Sequence, residues 1–468
     1  MRPLDNCAWR RHVPLLLILA AGLVLRLVLL QGTAETPLKI DDEQQYYQLA
    51  QSLYHGDGFA WTPDQPTSLR PPLYPAFIAM VWVLNGRESL VAVRAVQVLL
   101  SLATVVLLYL LALRLYDRRA ALVGAGLLCF YPELMGFNFL LLTETLFTFW
   151  LLLFALLFVT LVQTGRLGPA LLTGMVLGLA TLTRSVLWLF PLVAIPLVLW
   201  FLPRTLGRRV AAATLLLIGY GLAVGPWAVR NTLLQQTVTV VDSMGGITLR
   251  MGNYEYTPEG RAWDPRTLHG EHSIFQELRE EHSDVALWTE GQKDKWAQRK
   301  AVQYMLAHPG TTLRRAAIKF ADFWGLERTL IAGWQQGLYH PPVWLAILGT
   351  LLIPTAYAGV VLMASVGVFR AVPSICAAHA LFVLLIAYIS AVHSVAFGHP
   401  RYHLPLLPLL CLYAGAALTS AVWVRLHDGI RPALAPALMC LLWIGIWSRE
   451  VFVTESERIR GLLSAMFG

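Results

Sequence analysis

VPLLLILAAGLVLRLVLL, residues 13–30, is followed ten residues later by DDEQQYY, residues 41–47. The first stretch is apolar for long enough to cross a hydrocarbon core of about 30 Å as a helix. Arg10, Arg11 and His12 before it, and Gly32-Thr33-Ala34 after it, give it the outline of a signal peptide. Its length exceeds a usual signal core, so it is read as an uncleaved first transmembrane helix. The second stretch places three acids directly beyond the end of that helix. A lipid-embedded helix running straight into a carboxylate cluster sets both the fold and the chemistry to be sought.

Working outward, the same length rule predicts an all-α polytopic membrane protein of about eleven spans. They fall near 13–30, 89–113, 119–135, 140–162, 168–183, 185–202, 210–229, 341–369, 372–397, 402–424 and 431–448. The apolar stretch Pro72–Leu84 is too short to cross and is expected to lie in the interface. Composition agrees. Hydrophobic residues make up 57% of the 468 and charged residues 14%, with mean hydropathy +0.58, whereas soluble domains carry about 25% charged residues. The net charge of +8 reflects arginines at helix ends, and no basic aromatic surface points to nucleic acid. The five cysteines show neither metal-ligand spacing nor a disulfide framework.

With a cytoplasmic N-terminus, Arg10/Arg11, Arg118/Arg119, Arg166, Arg204/Arg208/Arg209, Arg370 and Arg425/Arg431 all fall inside, as positive-inside topology requires. The C-terminus then lies outside. The chain divides into an N-terminal transmembrane catalytic module, 1–230, with its first outer loop at 31–88; an extracytoplasmic loop, 231–340; and C-terminal helices with an outer tail, 341–468. The loop holds four of the five lysines. Ala297, Ala301, Tyr304 and Met305 share one helical face there, and Leu313, Ala316, Ala317, Phe320 and Trp324 form a second amphipathic stretch. Both helices are expected to pack on the mouth of the membrane domain.

This topology gathers scattered charges at one membrane face. Asp41, Asp42 and Glu43 supply carboxylates for proton abstraction, or form a solvated acidic turn capping the next helix. Arg70, stiffened by Pro71 and Pro72, is placed to bind phosphate, or snorkels to headgroups. Glu144 interrupts a long apolar stretch near the outer end of a span, where ionisable residues default to function; a hydrated boundary glutamate is the plainer alternative. Arg184 sits at a tight outer turn, as a phosphate ligand or an anchor. Arg26, inside the first span, is expected to reach the interface or to pair with Glu144 or Asp42. Arg230 closes another span. Arg401 opens a late one, between His399 and His403, where Pro400 argues against a metal pair. Nucleotide-cradling glycine loops, HExxH and GxSxG are absent from the sequence.

The order of these pieces resembles the GT-C glycosyltransferases of the polyprenyl/dolichyl-phosphate-mannose protein mannosyltransferase and aminoarabinose-transferase type. The resemblance runs through Arg26, Asp42-Glu43-x-x-Tyr46, Arg70-Pro71-Pro72-x-Tyr74-Pro75, Thr143-Glu144-x-Leu146-Phe147, Leu182-Thr183-Arg184, Pro226-Trp227-x-x-Arg230-Asn231 and Arg401-Tyr402-x-x-Pro405. It implies a GT-C fold and an inverting transfer from a polyprenyl-phosphate sugar to a lipid, glycan or protein acceptor, at the outer face of a bacterial inner membrane. By the same resemblance Asp42 is the general base, Asp41 a helper and Glu144 a second acid. Arg70, Arg184 and Arg401 contact the donor phosphate, with Arg70 standing where the aminoarabinose transferases have a lysine. Glu43, Tyr46, Tyr74, Arg230 and Arg26 contribute to the substrate and acceptor region. Relatives in the wider fold hold a divalent metal on first-loop acids, and no second ligand cluster accompanies Asp41 and Asp42 here. Protein mannosyltransferases carry a large folded outer-loop domain that this chain lacks. The competing classes are a lipid-linked saccharide flippase, which would place polar groups at the bilayer midplane and show repeats, and an oligosaccharide ligase or polymerase with a pyrophosphate-linked donor.

Overall fold

A computed structural model describes residues 6–33, 36–258, 268, 270, 272–338, 340–420 and 431–454. The side chains of Arg10, Arg11 and Arg431, all of Arg425, and the tail beyond 454 lie outside that description.

Among the described residues the elements are helical. They run α1 (Asn6–Thr33), α2 (Asp41–His55), α3 (Leu73–Asn85), α4 (Leu90–Leu115), α5 (Arg118–Cys129), α6 (Pro132–Phe137), α7 (Glu144–Thr164), α8 (Leu167–Thr183), α9 (Pro191–Phe201), α10 (Leu206–Gln235), α11 (Gly245–Gly252), α12 (Ile274–Glu281), α13 (Glu290–Ala307), α14 (Pro309–Phe323), α15 (Thr329–Gln335), α16 (Val343–Arg370), α17 (Cys376–Val395), α18 (Leu407–Thr419) and α19 (Arg431–Arg449). A 3-10 turn, Pro400–Leu406, leads into α18.

Among the described residues, eight helices are long and apolar enough to cross a membrane: α1, α4, α7, α10, α16, α17, α19, and the 3-10 turn with α18 taken together. The other three expected spans correspond to α5, α8 and α9, which are shorter, at 12, 17 and 11 residues. A helix rises 1.5 Å per residue, so 11 or 12 residues do not cover a full hydrocarbon core. An eleven-span count therefore does not follow from these helices. α3 is 13 residues long and fits the juxtamembrane expectation, with Tyr74 and Trp82 buried and Val83 and Leu84 exposed.

α7 and α18 are the most enclosed of the spans, and they carry the continuous apolar core of the bundle. α8 and α10 approach closely because Gly174 and Gly219 face each other's backbones. A Cβ on Gly174 would strike the Leu216 carbonyl, and one on Gly219 the Leu171 carbonyl. Small residues at such crossings replace the hydrophobic drive that lipid removes.

The long loop folds into α11–α15. Ile247, Met251, Tyr254, Ile274, Leu278, Trp296 and Ala297 form a small cluster of their own. Ala297 and Ala301 are buried on α13 as their spacing predicts. The face of α14 differs from expectation: Arg315, Lys319 and Phe323 are buried, while Leu313 is exposed. Backbone capping selects this face. Arg315 donates to the carbonyls of Tyr254 and Thr257, and Lys319 to the Val395 carbonyl and the Asn253 side chain. Burial lowers the Lys319 ammonium to about 7.

Gly174→Leu is expected to destabilise the protein by about 1–3 kcal/mol through overpacking. Thermal unfolding in detergent reads this directly, and an unchanged Tm would contradict the α8–α10 contact.

Candidate active site at the bundle mouth

Three helix starts and two turns meet at the end of the bundle that carries the long loop. α2 presents Asp42 in its first turn, and α7 presents Glu144 at its first residue. Arg70 precedes α3, Arg184 follows α8, and Arg401 lies in the 3-10 turn before α18. A helix N-terminus favours a carboxylate, so both acids sit where the backbone helps to hold their charge.

The five side chains form one connected cluster. Asp42 Oδ1 accepts from Arg70 Nη2 at 2.6 Å, and Oδ2 from Arg401 Nη1 at 3.0 Å. Arg401 Nε donates to Glu144 Oε1 at 2.5 Å, and Arg184 Nη1 to the same oxygen at 3.2 Å. Arg401 thus bridges the two carboxylates. Burial pushes the Asp42 carboxyl upward, but Arg70 and Arg401 outweigh it and hold the group at about 2. Glu144 is fully buried, and its Oε2 has no hydrogen-bond partner among the described residues. Arg70 also donates to Gln45 Oε1 at 2.8 Å and lies 5.4 Å from the Tyr46 ring centroid. Arg184 lies over Tyr402, at 4.8 Å.

Other sequence-selected residues stand behind this cluster. Glu43 accepts from the backbone N–H groups of Leu141 and Ile40, at 2.9 and 3.3 Å. Tyr74 packs edge-on against Tyr46 and donates to Gln97 Oε1. Arg230 holds the carbonyls of Thr67 and Phe59 and stacks on Trp227, so it braces the loop before Arg70. Arg26 differs from expectation. It reaches neither the interface nor a carboxylate: Nε donates to Ser101 and Asn138, and Nη1 to the Gly22 carbonyl. Polar groups of α4 and α6–α7 wrap it within the helices, where Ser101, Thr104, Thr145 and Thr148 line a small cavity beside it.

Several contributors were not picked out from sequence. Arg94 and Gln97, both buried, bind the carbonyls of Phe139, Asn138 and Leu140 and so hold the segment leading to Glu144. Glu290 accepts from Thr67 Oγ1, Ser68 N, Gln235 and Ser243, tying the long loop to the Arg70 segment. Asp242 accepts from Met244 N; burial raises its carboxyl, with Ser185 and Arg70 opposing. Arg94 and Gln97 had a signal, since each interrupts an apolar helix.

The donor set does not suit a divalent metal. Each Asp42 oxygen already faces a guanidinium, Asp41 is exposed, and among the described residues no group of three His, Cys, Asp or Glu side chains is arranged to hold a metal ion. His399 Nδ1 accepts from Arg401 N, whereas His403 bonds Glu327, so the two histidines are not a ligand pair.

Asp42 has a folded value near 2 against about 3.9 when unfolded. Its stabilising contribution is therefore complete above pH about 4 and is lost as pH falls toward 2. Between pH 7 and pH 3 the wild type is expected to lose more Tm than Asp42→Asn, and equal losses would contradict the ion-paired geometry.

Comparison with known proteins agrees with this architecture. The family model for dolichyl-phosphate-mannose-protein mannosyltransferase matches residues 69–227. The undecaprenyl phosphate-alpha-4-amino-4-deoxy-L-arabinose arabinosyl transferase of Pseudomonas aeruginosa (strain UCBPP-PA14) is 32% identical over 203 residues, covering 41% of this chain and 36% of that protein. Crystal structures of the Archaeoglobus fulgidus oligosaccharyltransferase, in the apo form and in complex with Zn and sulfate, superpose with TM-scores of 0.51 and 0.50 at 13% identity. They cover 94% and 90% of this chain, and 54% and 53% of those chains. The chain thus spans about half the length of these structural neighbours. Residues 69–227 are thus similar to the dolichyl-phosphate-mannose-protein mannosyltransferase family, and the helical architecture as a whole is similar to that of the oligosaccharyltransferase.

Proposed function

We propose that this chain is an inverting glycosyltransferase. It moves a sugar from a polyprenyl-phosphate donor to a lipid, glycan or protein acceptor at the extracytoplasmic face of a bacterial inner membrane. The carrying observation is the cluster in which Arg401 bridges Asp42 and Glu144 while Arg70 and Arg184 flank it. Two carboxylates and three guanidiniums leave one positive charge over. A sugar phosphodiester brings one negative charge, whereas a pyrophosphate-linked donor brings two. This balance favours the monophosphate carrier over the ligase alternative.

In this reading the polyprenyl tail stays among the lipid-facing helices, and the donor phosphate enters between Arg70 and Arg401. The phosphate competes for both guanidiniums and frees the Asp42 oxygens. Its negative charge also offsets the arginines that depress Asp42, so the carboxylate gains proton affinity when a donor is present. The acceptor oxygen attacks the anomeric carbon from the face opposite the phosphate, and its proton passes to Asp42. The bond from the anomeric carbon to the phosphate oxygen breaks. Its electron pair leaves on the polyprenyl phosphate, where the arginines stabilise the developing charge. Glu144 holds Arg184 and Arg401 in place, and its free oxygen is available to an acceptor donor group. The face assignment rests on Arg118, Arg119, Arg166, Arg204 and Arg370, which lie at helix junctions alternating with those that form the site.

Asp42→Asn is expected to lower kcat by about 10²- to 10⁴-fold in protein that still folds at pH 7, with Tm reduced by the loss of its two ion pairs; undiminished transfer would refute the base assignment. Arg70→Ala is expected to raise the KM for donor more than that for acceptor, and equal rises would contradict its phosphate role. Incubation of the purified protein with a panel of polyprenyl-phosphate sugars, scored by release of the carrier phosphate, tests the reaction itself. Turnover of a pyrophosphate-linked donor alone would overturn the monophosphate reading.

A further inference from the structure

Arg401 is positioned by a segment whose main tertiary anchor takes no part in the proposed reaction. Tyr131, Glu133, Glu327 and His403 meet there, all buried. Glu327 Oε1 lies 3.0 Å from His403 Nε2, and Glu327 Oε2 accepts from the Tyr131 hydroxyl at 2.8 Å. On the far side of the ring, His403 Nδ1 lies 2.6 Å from the Phe323 carbonyl oxygen. A carbonyl only accepts, so Nδ1 carries the hydrogen. In the neutral ring Nε2 then offers a lone pair, and the Glu327 oxygen facing it must supply the proton.

The surroundings favour this neutral arrangement over an imidazolium–carboxylate pair. Tyr357 and Trp324 stack on the His403 ring at interplanar angles of 14° and 7°, and Phe323 meets it edge-on. Ion pairs in such apolar walls are costly. Tyr131 and His403 are the partners of Glu327 among the described residues. The neighbouring cation, Arg328, pairs with Glu450 at 3.2 Å. Glu133 adds a second buried carboxyl: its Oε1 accepts from Leu330 N, and its Oε2 has no partner. Burial pushes both carboxyls well above the usual range, and Glu327 raises Glu133 further.

We propose that Glu327, as a neutral carboxylic acid donating to His403 Nε2, is a positioning residue that sets where Arg401 sits between Asp42 and Glu144. His403 is two residues from Arg401 in the same 3-10 turn, so the ring's anchor fixes the turn. The bond tethers the turn to the connection between α14 and α15 without adding a fixed charge to the apolar surroundings of the ring. The inference rests on the proposed role of Arg401 in transfer.

The test compares Glu327→Gln, Glu327→Ala, Arg401→Ala and the Glu327→Ala/Arg401→Ala pair in full-length protein. A glutamine amide donates to Nε2 and accepts from Tyr131, so Glu327→Gln is expected to keep wild-type kcat and Tm. Glu327→Ala is expected to lower kcat and kcat/KM together by about 100-fold through misplacement of Arg401. The double variant is expected to be no slower than Arg401→Ala alone. Infrared difference spectra of wild type against Glu327→Gln are expected to show loss of a protonated-carboxyl band. Equal damage by Gln and Ala without loss of that band would overturn the neutral acid, and additive losses in the double variant would overturn action through Arg401. Should Glu327→Ala fail to fold, Tyr131→Phe carries the same cycle: a kcat loss that vanishes in the Arg401→Ala background supports the proposal, and a loss that persists overturns it. If Arg401→Ala keeps full activity, the transfer chemistry assigned to Arg401 fails, while the infrared band reports on Glu327 independently.

Discussion

The Arg401 guanidinium reaching from Asp42 to Glu144 is the constraint on which the mouth of this bundle depends. Two carboxylates brought this close at the edge of a low-dielectric region repel each other, and a cation between them offsets that repulsion. Arg401 supplies that cation with a planar fork that addresses both acids at once, which a lysine ammonium would not match. Arg70 and Arg184 complete the arrangement from opposite sides. Three parts of the chain remote in sequence, α2, α7 and the turn before α18, are therefore joined by charge as well as by apolar contact. The charges that hold this cluster together are the ones a phosphate would recruit in the proposed reaction.

The buried polar framework around the site follows a common pattern. The segment 138–141 has no regular structure of its own, and Glu43, Arg94 and Gln97 satisfy its backbone groups. Unsatisfied amides are expensive where water is scarce. This framework delivers Glu144 to the start of α7 in a fixed orientation. The residues behind the cluster thus act on its geometry, and Glu43 and Arg230 belong to that supporting set by their contacts.

Much of the helical layout and the central cluster was legible in the sequence, for physical reasons that can be named. Hydropathy over about twenty residues is a local property, so α1, α4, α7, α10, α16 and α17 stand out unaided. Asp42, Arg70, Glu144, Arg184 and Arg401 stand out because ionisable groups beside apolar runs are costly. The supporting set was less visible. Glu290 and Glu327 lie in a charged loop where glutamates are ordinary, and their partners are far away in sequence. Arg26 shows the opposite failure: its cost was plain, but the remedy came from Ser101 and Asn138 amid a polar lining, and such neutral donors and acceptors leave little trace in composition. On α14, capping of the carbonyls of Tyr254 and Thr257 overrode the apolar stripe, which periodicity alone does not register. The span count is not confirmed at α5, α8 and α9, because apolar composition continues through turns while helix length does not.

Glu290 has a further implication for how the two halves of the molecule evolve and can be engineered. One carboxylate in α13 holds Thr67 and Ser68, two residues before Arg70. The long loop and the charged cluster at Arg70 are therefore a single mechanical part. Exchanging residues 231–340 for another loop would cut that tie unless the 59–70 strip travelled with it. Drift on either side of the joint is constrained by the other, so the unit of modular exchange in this architecture is the loop together with its foothold.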